Sequence, residues 1–272
     1  MKLGQIDWEG RLTAAVFGEG YAHPVPGYTV RELIDETERR HADLREFLKE
    51  HAIKGQLEAA PRIPITPREV WACGCTYETD AGDDFYQRAR TAPRPEIFFK
   101  GTHRVCAGPG GKIGLRGDST FMAPEPGLAV LLGSHGRILG YTLANDVSAR
   151  DIERENPLYL SQSKVFTGCC ALGPWFVTAD EVANPYSIGI HCQIRRGETA
   201  LFEGSCSTAR MSRKIEVLIE YLLRANPVPA GSVLLTGTGI LVPEEVALQP
   251  EDVVTIAGDG LGTLANEAAL AG

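Results

Sequence analysis

Two carboxylates stand at the ends of neighbouring apolar segments and are the first candidates for chemistry. Glu125 opens the segment that runs through residues 128–132, and Asp146 closes the segment at 138–144. A tight turn at residues 134–137 would pair the two segments and bring the carboxylates side by side. Buried carboxylates need a cation or hydrogen bonds, and hard oxygen ligands suit Mg²⁺, Mn²⁺ or Ca²⁺. The spacing predicts a divalent metal site, with the alternative that Asp146 caps a short helix after it.

Several other catalytic signatures are absent from the sequence. There is no Gly-x-Ser-x-Gly nucleophile elbow, no Gly-x-x-x-x-Gly-Lys-Ser/Thr phosphate loop and no His-Glu-x-x-His zinc motif. The glycine-rich stretch 258–262 lacks the third glycine of a dinucleotide loop and is interpreted as a turn. The six histidines form no cluster with ligand spacing, so each is interpreted as a surface or core residue.

The elements that would position the two carboxylates are mainly strands. Apolar segments separated by Gly, Pro and Asp predict strands at 70–76, 96–100, 112–116, 128–132, 138–144, 175–178, 188–195, 233–236 and 253–257. Amphipathic patterns predict helices near 30–51, 80–91 and 208–225, and a short helix after Asp146. Strands and helices do not alternate regularly, which argues against a doubly wound parallel sheet. We expect a mostly β protein with some helices.

The sequence pattern changes near residue 66. A strand-like piece at 12–17 and the amphipathic pattern at 30–51 precede a stretch with Pro61, Pro64 and Pro67, which is typical of a linker. Residues 1–66 are therefore predicted to form a small separate unit.

The net charge and the cysteine content limit which binding partners and which cellular compartment are expected. The chain has 27 Lys and Arg against 35 Asp and Glu, a net charge of −8, which argues against nucleic acid or an anionic membrane as partner. No signal-peptide core or apolar run of membrane-spanning length is present. The seven cysteines are odd in number and include no Cys-x-x-Cys pair, which favours reduced core thiols in a cytoplasmic protein.

Several long segments follow one another in the order of a known family, from about residue 68 to the C-terminus. They are Arg-Pro-Glu-Ile-Phe-Phe-Lys at 94–100, Pro-Glu-Pro-Gly-Leu-Ala-Val at 124–130, Gly-Tyr-Thr-Leu-Ala-Asn-Asp-Val-Ser-Ala-Arg-Asp at 140–151, Asn-Pro-Leu-Tyr-Leu-Ser-Gln-Ser-Lys at 156–164, Cys-Cys-Ala-Leu-Gly-Pro at 169–174 and Leu-Leu-Thr-Gly-Thr-Gly-Ile at 234–240. Together they resemble the fumarylacetoacetate hydrolase superfamily. The segments at 94–100, 156–164 and 169–174 resemble its sugar-acid branch, the 2-keto-3-deoxy-arabinonate dehydratases. The resemblance implies a mixed β-roll, with a catalytic domain at 67–272 beside a small N-terminal α/β domain at 1–66.

The resemblance also implies a metal, usually Mg²⁺, held by a Glu-x-Glu pair, a later Asp and the 2-oxo acid substrate. Glu125 matches the first glutamate of the pair and Asp146 matches the aspartate. Gly127 stands where the second glutamate is expected, so the ligand charge falls from −3 to −2. Mg²⁺ accepts water in its coordination shell, so a weaker site is one expectation. An empty site, another ligand or a bulkier substrate are the alternatives.

Four further residues receive roles from the resemblance. Lys164 matches a lysine that pairs with the substrate or moves a proton, and Glu96 matches a general acid or base. Burial with mutual charge is expected to bring both pKa values toward neutrality. Thr238 matches the segment that holds the substrate carboxylate, and Lys100 is a second candidate for substrate contact. Without the resemblance, Lys164 and Glu96 would be interpreted as solvated residues and Thr238 as part of a structural turn.

The resemblance favours a dehydratase of a 2-keto-3-deoxy sugar acid that removes a C3 proton. One alternative is C–C hydrolysis or decarboxylation of another 2-oxo acid. A second alternative is a non-catalytic family member that has lost its metal because Gly127 replaces a ligand. The resemblance further implies a homodimer or homotetramer whose small-molecule partner is a 2-oxo acid.

Overall fold

The computed structural model describes residues 1–55, 57–79 and 84–272, which form mainly strands and short helices. The strands are β1 (Lys2–Trp8), β2 (Arg11–Phe17), β3 (Ala22–Val25), β4 (Val70–Gly74), β5 (Glu96–Gly101), β6 (Cys106–Ala107), β7 (Lys112–Leu115), β8 (Met122–Ala123), β9 (Pro126–Leu132), β10 (Ile138–Asp146), β11 (Ser148–Ala149), β12 (Cys170–Thr178), β13 (Gly189–Arg196), β14 (Thr199–Ser207), β15 (Ser232–Leu235), β16 (Val253–Gly258) and β17 (Gly262–Leu270). The α-helices are α1 (Val30–Arg40), α2 (Leu44–His51), α3 (Asp84–Thr91), α4 (Arg150–Glu155), α5 (Leu160–Lys164) and α6 (Ile215–Leu223). The predicted mostly β class with some helices is confirmed.

The predicted helices exist but are shorter than the sequence pattern suggests. The pattern at 30–51 splits because His41 adopts a left-handed φ of 52°, and Asp43 then caps α2. The helix predicted at 80–91 is observed as α3, and its first four positions lie outside the described residues. The pattern at 208–225 becomes a 3₁₀ turn followed by α6.

Three sheets make up the body of the protein. The largest has the order β3-β2-β1-β12-β10-β9-β15-β4-β5, with β6 beside β12. A second sheet has the order β14-β13-β16-β17-β7, and β11 pairs with β8 in a small ribbon. Parallel pairs (β15 with β4, and β17 with β7) occur among antiparallel ones, so the sheets are mixed. Seven strands observed in the described residues were not predicted from the sequence: β1, β3, β14, β17 and the two-residue strands β6, β8 and β11. The turn at 258–262 is confirmed as the connection between β16 and β17.

Strand β9 lies at the centre of the fold and is buried throughout. Leu128, Val130 and Leu132 point into the core that the two large sheets share. Ala129 and Leu131 point into a second core, which the N-terminal helices cover. Successive side chains of a strand face opposite sides, so burial on both faces explains why β9 is apolar at every position.

The N-terminal strands continue the largest sheet, because β1 pairs with β12 in the register Lys2↔Val177. Side chains of α1 and of β9 meet in the second core. The division at residues 66 and 67 into two domains stays a prediction. Within the described part of the chain, no helix is both long enough and apolar enough to cross a membrane.

Candidate active site

The hairpin of β9 and β10 sets the two predicted carboxylates side by side. Pro126 faces Asn145 in the antiparallel register, and the Asp146 N–H donates to the Glu125 carbonyl at 3.0 Å, which extends the ladder by one pair. The Asn145 side-chain oxygen accepts from the Glu125 N–H at 3.0 Å and fixes the entry to β9. The predicted turn at 134–137 closes this hairpin through a bond from the Gly133 N–H to the Arg137 carbonyl at 2.7 Å. The predicted juxtaposition is therefore observed.

Asp146 does not cap the helix that follows it. Helix α4 begins after Ala149, which makes no side-chain capping bond. The alternative structural role for Asp146 is therefore wrong, and its carboxylate is available to the site.

Lys164 ends α5 and brings its ammonium group to both carboxylates. Its Nζ lies 2.9 Å from Glu125 Oε2 and 4.0 Å from Asp146 Oδ2, and only 4% of its side chain is exposed. Ser148 Oγ accepts from the same Nζ at 2.6 Å, and Glu153 Oε1 lies 3.7 Å from it. The lysine that would otherwise be interpreted as a surface residue is thus the centre of the site.

The surrounding charges decide the protonation of Lys164. Burial opposes the charged form, but Asp146, Glu125 and Glu153 outweigh it and raise the pKa of Lys164 well above its usual range. The expectation that this pKa moves toward neutrality is therefore wrong. The ammonium is a fixed positive charge in the resting site.

Arg150 and Glu153, on α4, close a ring of alternating charges with Lys164 and Glu125. Arg150 donates to Glu125 Oε1 at 3.2 Å and also lies 3.2 Å from Glu153 Oε2. Burial raises the pKa of the Glu125 carboxyl, but Lys164 and Arg150 outweigh it and lower that pKa overall. Glu125 is consequently ionised at neutral pH.

Sequence reasoning assigned no role to Ser148, Arg150 or Glu153. Ser148 and Arg150 could have been predicted, because both lie in the family segment at 140–151, shortly after Asp146. Glu153 gave no such signal, because its relation to Lys164 depends on how α4 and α5 pack together.

Lys100 is the second lysine of the site and is completely buried. Its Nζ lies 2.6 Å from Asp146 Oδ1 and donates to the Val147 carbonyl at 2.9 Å. A substrate contact by Lys100 stays a prediction. The observed contacts make it the cation that holds Asp146.

Glu96 begins β5 and faces Gly74, the last residue of β4. A Cβ atom on Gly74 would lie 2.3 Å from Glu96 Oε2, so the glycine makes room for the carboxylate. Burial raises the pKa of the Glu96 carboxyl, the Lys164 charge opposes this, and Glu153 adds to it. The shift toward neutrality predicted for this residue therefore has the right direction.

Thr238 lies in the loop that follows β15 and uses its hydroxyl within its own turn. The hydroxyl accepts from the Ile240 N–H at 3.0 Å and lies 3.2 Å from the Ile240 carbonyl. Its predicted contact with a substrate carboxylate stays a prediction.

The donor set around Glu125 and Asp146 fits a magnesium ion with two protein carboxylates. Both are hard oxygen donors and cross-strand neighbours, and both lie within 4.0 Å of the buried Lys164 ammonium. Mg²⁺ is commonly bound through one or two carboxylates with water and substrate. Across residues 1–55, 57–79 and 84–272, no group of three or more His, Cys, Asp or Glu side chains is arranged to hold a metal ion. The fit is therefore to a two-carboxylate site.

Comparison with known proteins places this site in a family. The family model for the fumarylacetoacetate (FAA) hydrolase C-terminal domain matches residues 69–269. The chain belongs to this family. The resemblance predicted from the sequence segments and the fumarylacetoacetate-hydrolase-like fold are both confirmed.

Among curated relatives of this fumarylacetoacetate hydrolase family member is the 2-dehydro-3-deoxy-D-arabinonate dehydratase of Saccharolobus solfataricus. It is 49% identical over 213 residues, which cover 74% of this chain and 72% of that protein. A probable 2-keto-3-deoxyxylonate dehydratase of Haloferax volcanii is 41% identical over 212 residues, covering 75% and 73%. A solved 2-keto-3-deoxy-D-arabinonate dehydratase complexed with magnesium and 2,5-dioxopentanoate superimposes with a TM-score of 0.84, at 40% identity and 99% coverage of both chains.

Proposed function

We propose that the protein is a metal-dependent dehydratase of a 2-keto-3-deoxy sugar acid such as 2-keto-3-deoxy-arabinonate. The observation that carries the proposal is the convergence of Glu125, Asp146 and Lys164, with Glu96 beside them, in a chain 49% identical to a dehydratase of this class.

The metal would be Mg²⁺, or Mn²⁺ or Ca²⁺ in its place, and Glu125 and Asp146 would hold it. When bound, such an ion withdraws electrons from the 2-keto oxygen and makes the C3 proton more acidic. A similar solved dehydratase is a complex with magnesium, which supports the choice of ion. Waters or substrate oxygens would complete the coordination of the ion beside these two carboxylates.

The side chains of this chain supply the proton transfers. Glu96 accepts the C3 proton in its carboxylate form, and its raised pKa makes it a stronger base than a solvated glutamate. The Lys164 ammonium, 2.9 Å from Glu125 Oε2, is the acid that would donate a proton to the departing hydroxyl, which leaves as water. A proton passed from Glu96 to Lys164 then restores both groups. Because Glu96 must begin ionised, activity should fall as the pH drops through its raised pKa.

Product analysis tests the proposed reaction. The purified protein with Mg²⁺ is incubated with 2-keto-3-deoxy-pentonate, and 2,5-dioxopentanoate is measured. Glu96→Gln and Lys164→Met should each lower kcat by about 100-fold or more, the usual contribution of a proton-transfer group. Glu155→Gln, on the exposed side of α4, is the matched control and should retain wild-type turnover. Full activity in both variants would refute the assigned roles.

The same assay separates the alternative reactions. Faster turnover of acylpyruvates or oxaloacetate than of the sugar acid would indicate a C–C hydrolase or decarboxylase. Absence of turnover together with absence of Mg²⁺ and Mn²⁺ binding would indicate a non-catalytic family member.

We also propose a cytoplasmic homo-oligomer. All seven cysteines are free thiols, as expected in a reducing compartment. The edge strand β5 exposes Phe99 beside Trp71, an apolar edge that a second copy could cover. Light scattering behind a sizing column should give the mass of a dimer or tetramer, and a mass near 29.4 kDa would contradict this.

A further inference from the structure

Main chain occupies the space that a Cβ atom on Gly127 would need. A Cβ atom on Gly127 would lie 2.2 Å from the Gly237 carbonyl oxygen and 3.2 Å from its carbon. A carbonyl cannot rotate away as the end of a side chain can. Any side chain at 127, including a glutamate, therefore requires the segment around Gly237 to move.

That segment, residues 236–239, is held equally closely on its other side. Gly237 has a φ of +93°, and a Cβ atom on it would lie 2.1 Å from Thr76 Oγ1 and 2.9 Å from the Cys73 carbonyl oxygen. The Thr76 hydroxyl donates to the Thr236 carbonyl at 2.6 Å, and all of Thr76 is buried. The segment therefore also packs closely against Thr76 and Cys73.

Hydrogen bonds join the same segment to β9 one residue beyond Gly127. The N–H and the hydroxyl of Thr236 both donate to the Leu128 carbonyl, each at 2.9 Å. Segment 236–239 is thus seated between β9 and the turn after β4, with a glycine at each surface where the backbones meet. The segment can approach β9 this closely only because residue 127 carries no Cβ atom.

We propose that Gly127 is a positioning residue that seats segment 236–239 and thereby sets how the substrate carboxylate is bound. The inference rests on the proposed function for the identity of that ligand, because Thr238 lies in this segment. The glycine at 127 is then more than a lost metal ligand. The close approach of Gly237 to Gly127 explains why the metal site has two carboxylates and not three. A carboxylate introduced at 127 therefore disturbs substrate binding and does not become a third metal ligand.

Binding measurements with pyruvate, as a small 2-oxo acid, and with Mn²⁺ test the proposal. Gly127→Ala should weaken pyruvate binding about tenfold or more and raise KM more than it lowers kcat, while Mn²⁺ binding without pyruvate stays within about twofold. Gly127→Glu should gain no Mn²⁺ affinity. Gly117→Ala is the matched control, because a Cβ atom there meets nothing within 4 Å.

A second pair of variants decides the case if Gly127→Ala does not fold. Thr76→Val removes the hydroxyl that holds the segment from the opposite side, and Thr76→Ser retains it. The valine variant should weaken pyruvate binding and the serine variant should restore it.

Two results would overturn the proposal. One is wild-type pyruvate affinity in folded Gly127→Ala, or in Thr76→Val where the former does not fold. The other is tighter Mn²⁺ binding in Gly127→Glu than in the wild type. If the wild type binds neither pyruvate nor Mn²⁺, the proposed function fails instead. In that case the melting temperature tests whether Gly127 positions segment 236–239. It should fall in Gly127→Ala and stay unchanged in Gly117→Ala, and equal melting temperatures in the two variants would overturn the proposal.

Discussion

Replacing Lys100 by methionine should destabilise the protein strongly and make its stability depend on magnesium. Methionine retains the length of the side chain and removes the charge. In the wild type the ammonium is fully buried, 2.6 Å from Asp146 Oδ1 and 2.9 Å from the Val147 carbonyl. In the variant, the remaining cation near Asp146 is Lys164, at 4.0 Å from Oδ2 and already bonded to Glu125.

The size of the loss in free energy of unfolding follows from the Asp146 carboxylate that stays buried in the variant. Removing one partner of a buried ion pair costs about 3–5 kcal/mol, because the other charge stays buried without full compensation. Whole domains are stable by only about 5–15 kcal/mol, so Lys100→Met should lose a large share of the free energy of unfolding. The double variant Lys100→Met/Asp146→Asn should lose less than the single one, because no uncompensated carboxylate remains. A divalent ion that binds beside Asp146 should restore part of the loss in the single variant by mass action.

Urea unfolding at pH 7, with and without Mg²⁺, measures these differences. Lys112→Met is the matched control, since its Nζ lies 3.1 Å from Glu267 Oε1 but the two side chains are 66% and 43% exposed. An exposed ion pair contributes about 0–1 kcal/mol, so this variant should stay close to the wild type. A loss in Lys100→Met no larger than in Lys112→Met would show that the Lys100–Asp146 pair is dispensable. A double variant as unstable as the two single losses added together would show that the two side chains do not interact.

Three further outcomes are expected. Gly74→Ala should push the Glu96 carboxylate aside and lower kcat at least about tenfold while the melting temperature stays near that of Gly117→Ala; unchanged kcat would contradict the contact. Burial raises the folded-state pKa of Glu96, so the stability tied to its protonated form is present at low pH and lost as the pH rises through that value. Glu96→Gln should therefore gain stability over the wild type at pH 8 and lose this advantage at pH 4 in urea unfolding, and an equal difference at both would exclude this sign. Ser148→Ala removes the acceptor 2.6 Å from Lys164 Nζ and should cost about 1.5–3 kcal/mol in the same assay, whereas a loss below about 0.5 kcal/mol would show that the bond is dispensable.

The sequence predicted the strands best where their pattern is local. Each of the nine predicted strands overlaps an observed one, because each is an apolar run bounded by turn residues. The least accurate is the strand predicted at 175–178, since β12 already begins at Cys170. β14 and β17 were not predicted, because polar and small residues interrupt the apolar pattern in both segments. α1 and α2 were merged because the left-handed His41 leaves no break in the amphipathic pattern.

Within the site, the sequence by itself determined the pairing of Glu125 with Asp146, because one hairpin register fixes it. It also determined that residue 127 carries no carboxylate. Only the tertiary structure decided that Lys100 holds Asp146 and that Glu153 faces Lys164, since these contacts join elements far apart in the chain. The role of the glycine at 127 was likewise decided only by the tertiary structure. A missing side chain can be seen in a sequence, but the backbone carbonyl that takes its space comes from a loop 110 residues further along, and only folding brings the two together.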